Sequence, residues 1–272
     1  MRAYLIPALK RIEPKMRKTT KAEIKHTLES LEIPQGSTVI IHSSLIKFGA
    51  IEGGAKGVFD VIQEVLGADA TIVMPSFSFD FSETEKWHRD TTKSKMGALT
   101  EYFRKLPNVY RTIHPFHSVC VIGKHQTLFK KCNNLSSFGP GSPFELLMDL
   151  DALNLAIGTE YVGGSTFLHH VEEISQVPYR TYKTFPGKVY DNDNNELTDK
   201  YKMYVRIITD EYEYDNDWEK IFGDLENVAS IKNHKLHGAN FYLVNIREVS
   251  AAFQEKILSN PFYPSKVNHK NN

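Results

Sequence analysis

STVIIHSSLIKFGAIEGGAKGVFDVIQEVLGADATIVMPSF, residues 37–77, decides the fold. Its first part, Thr38 to Ile41, is apolar and rich in β-branched residues, and ends at the hydroxyls of Ser43 and Ser44. The middle part sets Val58, Ile62, Val65 and Leu66 on one helical face, with Gly67 as the stop. The last part, ATIVMPSF, is a second buried-strand pattern ended by Pro75. Strand, helix, strand is a βαβ unit. Its two strands run parallel, and helices must then cover the faces of the sheet.

The same alternation continues downstream. Ser76 to Lys95 is polar and irregular, with Trp87 and several other aromatics, and a connection of that length often covers a site. MGALTEYFRKL (96–106) reads as a short helix, HSVCVIG (117–123) as a strand and ALNLAIG (152–158) as a later strand. GPGSPFELLMDL (139–150) reads as a turn and a helix, with Ser142 as N-cap and Pro143 at the first helical position. STFLHHVEEISQ (165–176) reads as a helix beginning near Ser165 or Thr166. After Tyr179, two β-rich runs flank DNDNN (191–195), a hairpin signal. DNDWEKIFGDLENVA (215–229) is an acidic helix candidate, and ANFYLVNIREVSAAFQEKIL (239–258) a strand followed by a helix. NPFYPSKVNHKNN (260–272) reads as a tail, poorly ordered at its end. With no repeat and no clean linker, a single domain over 1–272 is expected, its β-rich part from 180 to 260 being an insertion.

Composition narrows the function. Lys+Arg and Asp+Glu are balanced at 33 each, against the basic excess that wrapping nucleic acid requires. Apolar and aromatic contents are ordinary, so the chain can build a core. Two cysteines, Cys120 and Cys132, are too few for a disulfide scaffold. Cys120 lies in mid-strand and reads as a small core residue. No stretch reaches the ~20 apolar residues of a membrane helix. The basic start, MRAYLIPALKRIEPKMRK, has a short apolar run broken by Pro7 and no cleavage pattern. A cytoplasmic protein, possible as a homo-oligomer, is expected.

P-loop, dinucleotide-binding, nucleophile-elbow and structural-zinc patterns are missing. The sharpest motif is TFLHHVEE (166–173). His169 and Glu172 are three apart and share a helical face, whereas His170 points about 100° away. A carboxylate beside an imidazole orients it and raises its basicity, as a general base needs. The competing readings are an ordinary surface pair and a metal site formed with His114 and His117. HSSL (42–45) ends a strand, and Gly53–Gly54 opens a helix, where a ligand can approach the backbone and a phosphate is attracted. In RTIHPFHSV (111–119), Arg111 and His114 are candidate anion contacts, with His117 and Ser118 where a strand begins.

Taken in order, HSSLIKFGAIEGGAKGV, TIVMPSFSF, MGALTEYFR, RTIHPFHSVCVIG, FGPGSPFELL, LNLAIG and STFLHHVEE resemble the aminoglycoside 3-N-acetyltransferase (antibiotic N-acetyltransferase) family over about residues 36 to 185. The resemblance implies an α/β/α sandwich around a central mixed sheet. It also implies an acyl-CoA-dependent N-acyltransferase acting on an amino sugar, with coenzyme A as cosubstrate and no metal. His169 would be the general base, Glu172 its orienter, and Thr166 a hydroxyl that helps hold the thioester oxygen. The HSSL loop, with His42, Ser43, Ser44 and Leu45, would lie along the pantetheine arm. Gly53, Gly54, Ser76, Arg111, His114 and Ser118 are further candidate coenzyme contacts from their own chemistry and placement, not from the resemblance. His170 departs from the family, where an aromatic residue often follows the histidine.

Two acceptors compete. Ten basic side chains between Lys86 and Lys131 favour an anionic acceptor. The chain resembles the branch of the family that acylates nucleotide-linked deoxyamino sugars of surface-polysaccharide synthesis, which implies that acceptor. An acidic stretch, 210–226, favours a polycationic aminoglycoside if it lines the cleft, but reads more simply as a solvated helix face. The nucleotide sugar is the expectation, the aminoglycoside the alternative, and a non-catalytic coenzyme- or sugar-binding relative the third reading.

Overall fold

The computed structural model describes residues 18–159, 164–197, 200–227 and 230–270. The basic N-terminal stretch up to Arg17 and the last two residues of the tail lie outside them. The βαβ unit forms as read. Strands β1 (Thr38–Ser43) and β2 (Thr71–Pro75) pair in parallel, and Gly67 ends the intervening helix at φ 80°. They lie inside a seven-stranded sheet. Its other strands are β3 (Tyr110–Arg111), β4 (Val119–Gly123), β5 (Leu153–Ile157), β6 (Lys232–Leu236) and β7 (Ala239–Asn245). The order across the sheet is β6-β7-β5-β1-β2-β4-β3. β1 is parallel to both β2 and β5, and every other pairing is antiparallel, so the sheet is mixed.

The two-residue period of a strand sends alternate side chains to opposite faces. Val39, Ile41, Ile72, Met74, Leu155 and Ile157 enter one core, against α1 (Lys21–Glu29), α2 (Gly54–Leu66) and α3 (Ala98–Arg104). Ile40, Val73, Val121 and Val244 enter the other. That second core is closed by α4 (Pro143–Asp149), α5 (Leu168–Ile174), α6 (Trp218–Leu225) and α7 (Ile246–Ser259). The result is the expected sandwich. The same parity turns His42 and Asn154 toward α5, a fact the site depends on. α4 starts where expected, because Ser142 Oγ accepts from Glu145 N at 3.3 Å and Pro143 follows it.

Three segments gain detail. The β-rich and helical C-terminal part joins the core: β7 pairs along β5, Phe241 facing Ile157, and α7 buries Val249 and Phe253 in the second core. The tail carries a strand, Ser265–His269, antiparallel to Tyr212–Asn216. The irregular segment after Ser76 has its own anchor. Trp87 is buried among Phe81, Phe116, Val189 and Tyr201, and Lys86–His88 pairs in parallel with Lys188–Tyr190. The Asp191–Asn195 turn forms as read, with Asp191 Oδ1 accepting from the amides of Asp193 and Asn195 at 2.9 Å each. Among the described residues no helix is long and apolar enough to cross a membrane.

Phe144 of α4 is fully buried and its ring packs against Phe77 and Phe138. Phe144→Ala should cost about 3–5 kcal/mol of stability by leaving a cavity. Chemical denaturation of the two proteins, compared at equal slope, checks this.

Candidate active site

α5 is entered through a tight turn. His169 N donates to Thr166 O at 3.1 Å, and the helix proper starts at Leu168 rather than at Ser165 or Thr166. Leu168 and Val171 anchor it in the core. The helical period then puts His169 and Glu172 together on its opposite flank. The ring of His169 is 24% exposed and Glu172 is 1% exposed, so one member meets the cavity and the other is sealed beneath it.

His169 Nδ1 donates to Glu172 Oε2 at 2.5 Å. Tyr179 Oη donates to Oε1 at 2.5 Å, and Asn216 Nδ2 donates to the same oxygen at 2.6 Å. Arg180 Nη2 lies 3.0 Å from Oε2. Burial alone would push the Glu172 carboxyl up, but Arg180, His169 and Tyr179 outweigh it and hold it at about 2. Burial and the neighbouring carboxylate push the Tyr179 hydroxyl up, so it stays a donor. The carboxylate takes Nδ1–H, so Nε2 is the nitrogen left to exchange a proton. Phe138 and Trp218 rings pack on the imidazole at 5.3 and 5.7 Å and restrict its rotation.

The ring faces a cavity of about 280 Å³ walled by His117, Phe138, Arg180, Met203, Tyr204 and Arg206. His117 Nδ1 hydrogen-bonds Ser137 Oγ at 2.8 Å, and burial, with His114 and His169 nearby, keeps its ring well below the ordinary range and hence neutral. Thr166, half-buried one turn before His169, hydrogen-bonds His42 Nε2 at 3.0 Å, and His42 Nδ1 meets Asn154 Oδ1 at 3.1 Å.

The expected coenzyme contacts divide. Ser43, Ser44 and Leu45 are half-buried at the end of β1, where a ligand can reach them. His42 is buried, and both ring nitrogens are engaged, so it serves Thr166 rather than an open surface. Gly53 and Gly54 lie on the α1–α2 face of the sheet, opposite α5. A Cβ on Gly53 would come within 3.3 Å of Lys21 Cε and 3.0 Å of Gly57 Cα, so close packing explains that glycine. Arg111 is buried. It donates to Ser118 Oγ and to the carbonyls of Ser76, Arg89 and Thr92, holding the loop after β2. Ser76 and Ser118 are buried in that network. His114 is buried too. Its Nδ1 accepts from the amides of Phe116 and His117, and burial pushes it down to about 3. No group of three or more His, Cys, Asp or Glu among the described residues is placed to hold a metal ion.

Tyr179, Arg180, Asn216, Trp218 and Asn154 were not singled out from sequence. The acidic stretch was read as a solvated face, yet its Asn216 and Trp218 touch the dyad.

The profile of the aminoglycoside 3-N-acetyltransferase family matches residues 40–258. The chain belongs to this family. Among its relatives is the SPbeta prophage-derived aminoglycoside N(3')-acetyltransferase-like protein YokD of Bacillus subtilis (strain 168), 30% identical over 59% of this chain and 66% of the relative. The crystal structure of that protein superposes with a TM-score of 0.76, covering 90% of this chain and 95% of the other at 24% identity. Aminoglycoside N(3)-acetyltransferase IV of Salmonella sp is 29% identical over 58% of this chain and 60% of the relative. The fold is also that of AAC-IIIb, solved as a binary complex with CoASH: TM-score 0.75, 16% identity, 89% of this chain and 97% of that one. The sequence matches thus span less than two thirds of the first curated relatives' lengths.

These relatives overturn the nucleotide-sugar expectation, since they carry aminoglycoside acetyltransferase names. The physical reason for the error is local. Of the basic side chains counted toward an anionic acceptor, Arg89, Arg104, Lys105 and Arg111 line a different cavity, of about 370 Å³, beside Asp90 and Tyr110.

A carboxyl held down in the fold stabilises it above its ordinary value of 4.5, and that stabilisation is lost as pH falls through about 2. Glu172→Gln should therefore be less stable than the parent at pH 7, with the gap narrowing as the solution is acidified between those values. Acid unfolding followed by circular dichroism measures it; a constant gap would mean that Glu172 is not ionised in the fold.

Proposed function

We propose that this protein acetylates an amino group of an aminoglycoside, with acetyl-CoA as donor. The observation that carries the reading is the His169–Glu172 pair at 2.5 Å, its imidazole lining a cavity, in a member of the aminoglycoside 3-N-acetyltransferase family. The relatives' names support the acceptor class, and the CoASH complex of AAC-IIIb supports the donor.

An aminoglycoside amine is mostly protonated at neutral pH; it releases that first proton to solvent, and the neutral amine is the nucleophile. As the nitrogen attacks the thioester carbonyl, His169 Nε2 takes a proton from it, and the carbonyl π pair moves to oxygen. The C–S bond then breaks, and the leaving sulfur receives the proton from His169. Amide and free thiol result, with no covalent enzyme intermediate. Glu172 stabilises the imidazolium that forms in between, and Tyr179, Asn216 and Arg180 keep the carboxylate from turning away. Ser43, Ser44 and Leu45 are the residues for the pantetheine arm, because they combine exposure with a strand end. The complete pair speaks against a non-catalytic relative.

The test is free-thiol release from acetyl-CoA with and without a kanamycin-type acceptor. We expect acceptor-dependent release, about 10²–10⁴-fold slower in His169→Asn, the usual contribution of a positioned base, with unchanged affinity for coenzyme A. Near-parental turnover of His169→Asn would remove the base assignment. Absence of acceptor-dependent release in the parent would remove the acceptor.

A further inference from the structure

Thr166, His42 and Asn154 come from the turn before α5, from β1 and from β5, and form one line of hydrogen bonds. The direction of that line follows from chemistry. Asn154 Oδ1 can only accept, so His42 Nδ1 carries a hydrogen. Burial pushes the ring down to about 4, so it is neutral at pH 7 and holds one hydrogen only. Nε2 is therefore an acceptor, and its partner at 3.0 Å must be the donor: the Thr166 hydroxyl gives its hydrogen inward. The backbone closes over this pair. A Cβ on Gly164 would stand 3.6 Å from both Asn154 Nδ2 and His42 Cβ.

We propose that His42, seated by Asn154, is a positioning residue that turns the hydroxyl hydrogen of Thr166 inward, leaving its oxygen as a hydrogen-bond acceptor for the attacking amine beside His169. This rests on the acetyl-transfer reading of the same site and changes one role within it. The resemblance implied that Thr166 donates to the thioester oxygen; its only hydrogen is committed to His42. The amine, in contrast, has N–H groups to spare. One proton goes to His169 and another N–H is held by Thr166 one turn earlier, which aims the nitrogen lone pair between them. Thr166 and His169 are both half-buried on this edge of the α5 segment, between buried Phe167, Leu168 and His170.

Two measurements decide it. In the substrate-free protein, nitrogen NMR of His42 should show the Nδ1-protonated neutral ring from pH 5 to 8; an Nε2-protonated or charged ring at pH 7 overturns the proposal. This readout needs no turnover, so it stands whether or not the acetyl-transfer reading survives. In kinetics, Gln at 42 keeps an acceptor oxygen near the Nε2 position and Asn does not. We expect His42→Gln to keep the acceptor KM within about threefold, and His42→Asn and Thr166→Val to raise it about tenfold, the size of one lost hydrogen bond. Thr166→Ser should restore it, and affinity for coenzyme A should not move in any of them. An unchanged acceptor KM in His42→Asn, or an equal loss of coenzyme affinity, overturns the proposal.

Discussion

A fully buried, ionised carboxylate is the constraint around which the site is arranged. Charge without water is costly, and Glu172 is tolerated because both of its oxygens are bonded by His169, Arg180, Tyr179 and Asn216. Those partners belong to α5, to the segment after it and to the strand Tyr212–Asn216. Each must be in place for the charge to be satisfied. Satisfying that charge and fixing the orientation of the His169 ring are one and the same requirement.

Much of the fold was legible because its rules are local. Apolar residues from Thr38 to Pro75 follow strand and helix periods, and glycine and proline mark the ends. The dyad was legible for the same reason: three residues on a helix are neighbours. The rest was not, because its spacing is not local. Asn216 is 44 residues from Glu172, and Asn154 is 112 from His42. Nothing in the vicinity of either asparagine marks it. Only the register of β1 against β5, with His42 opposite Ala156 and Ile40 opposite Asn154, brings the second pair together on one face.

Counting charge along the chain failed for a related reason. The basic side chains between Lys86 and Lys131 are close in sequence, but several of them encircle a cavity away from His169, and Arg111 is wholly engaged in bracing a loop. Gly53 carries a similar ambiguity: its positive φ of 72° and the lack of room for a Cβ beside Gly57 and Lys21 are needs of helix packing as well as features of a ligand loop. Both are features that binding sites and ordinary architecture share, so neither discriminates without coordinates.

The strand Ser265–His269 lies along Tyr212–Asn216, and Asn216 itself faces Ser265 in that ladder. One donor to the buried carboxylate is thus held in a ladder with the strand Ser265–His269. Clipping by a protease at Phe262, or a bulky fusion forced against this ribbon, would loosen an amide whose effect is felt at the imidazole. The integrity of the chemistry therefore depends on residues that a boundary drawn by motif alone would have trimmed away.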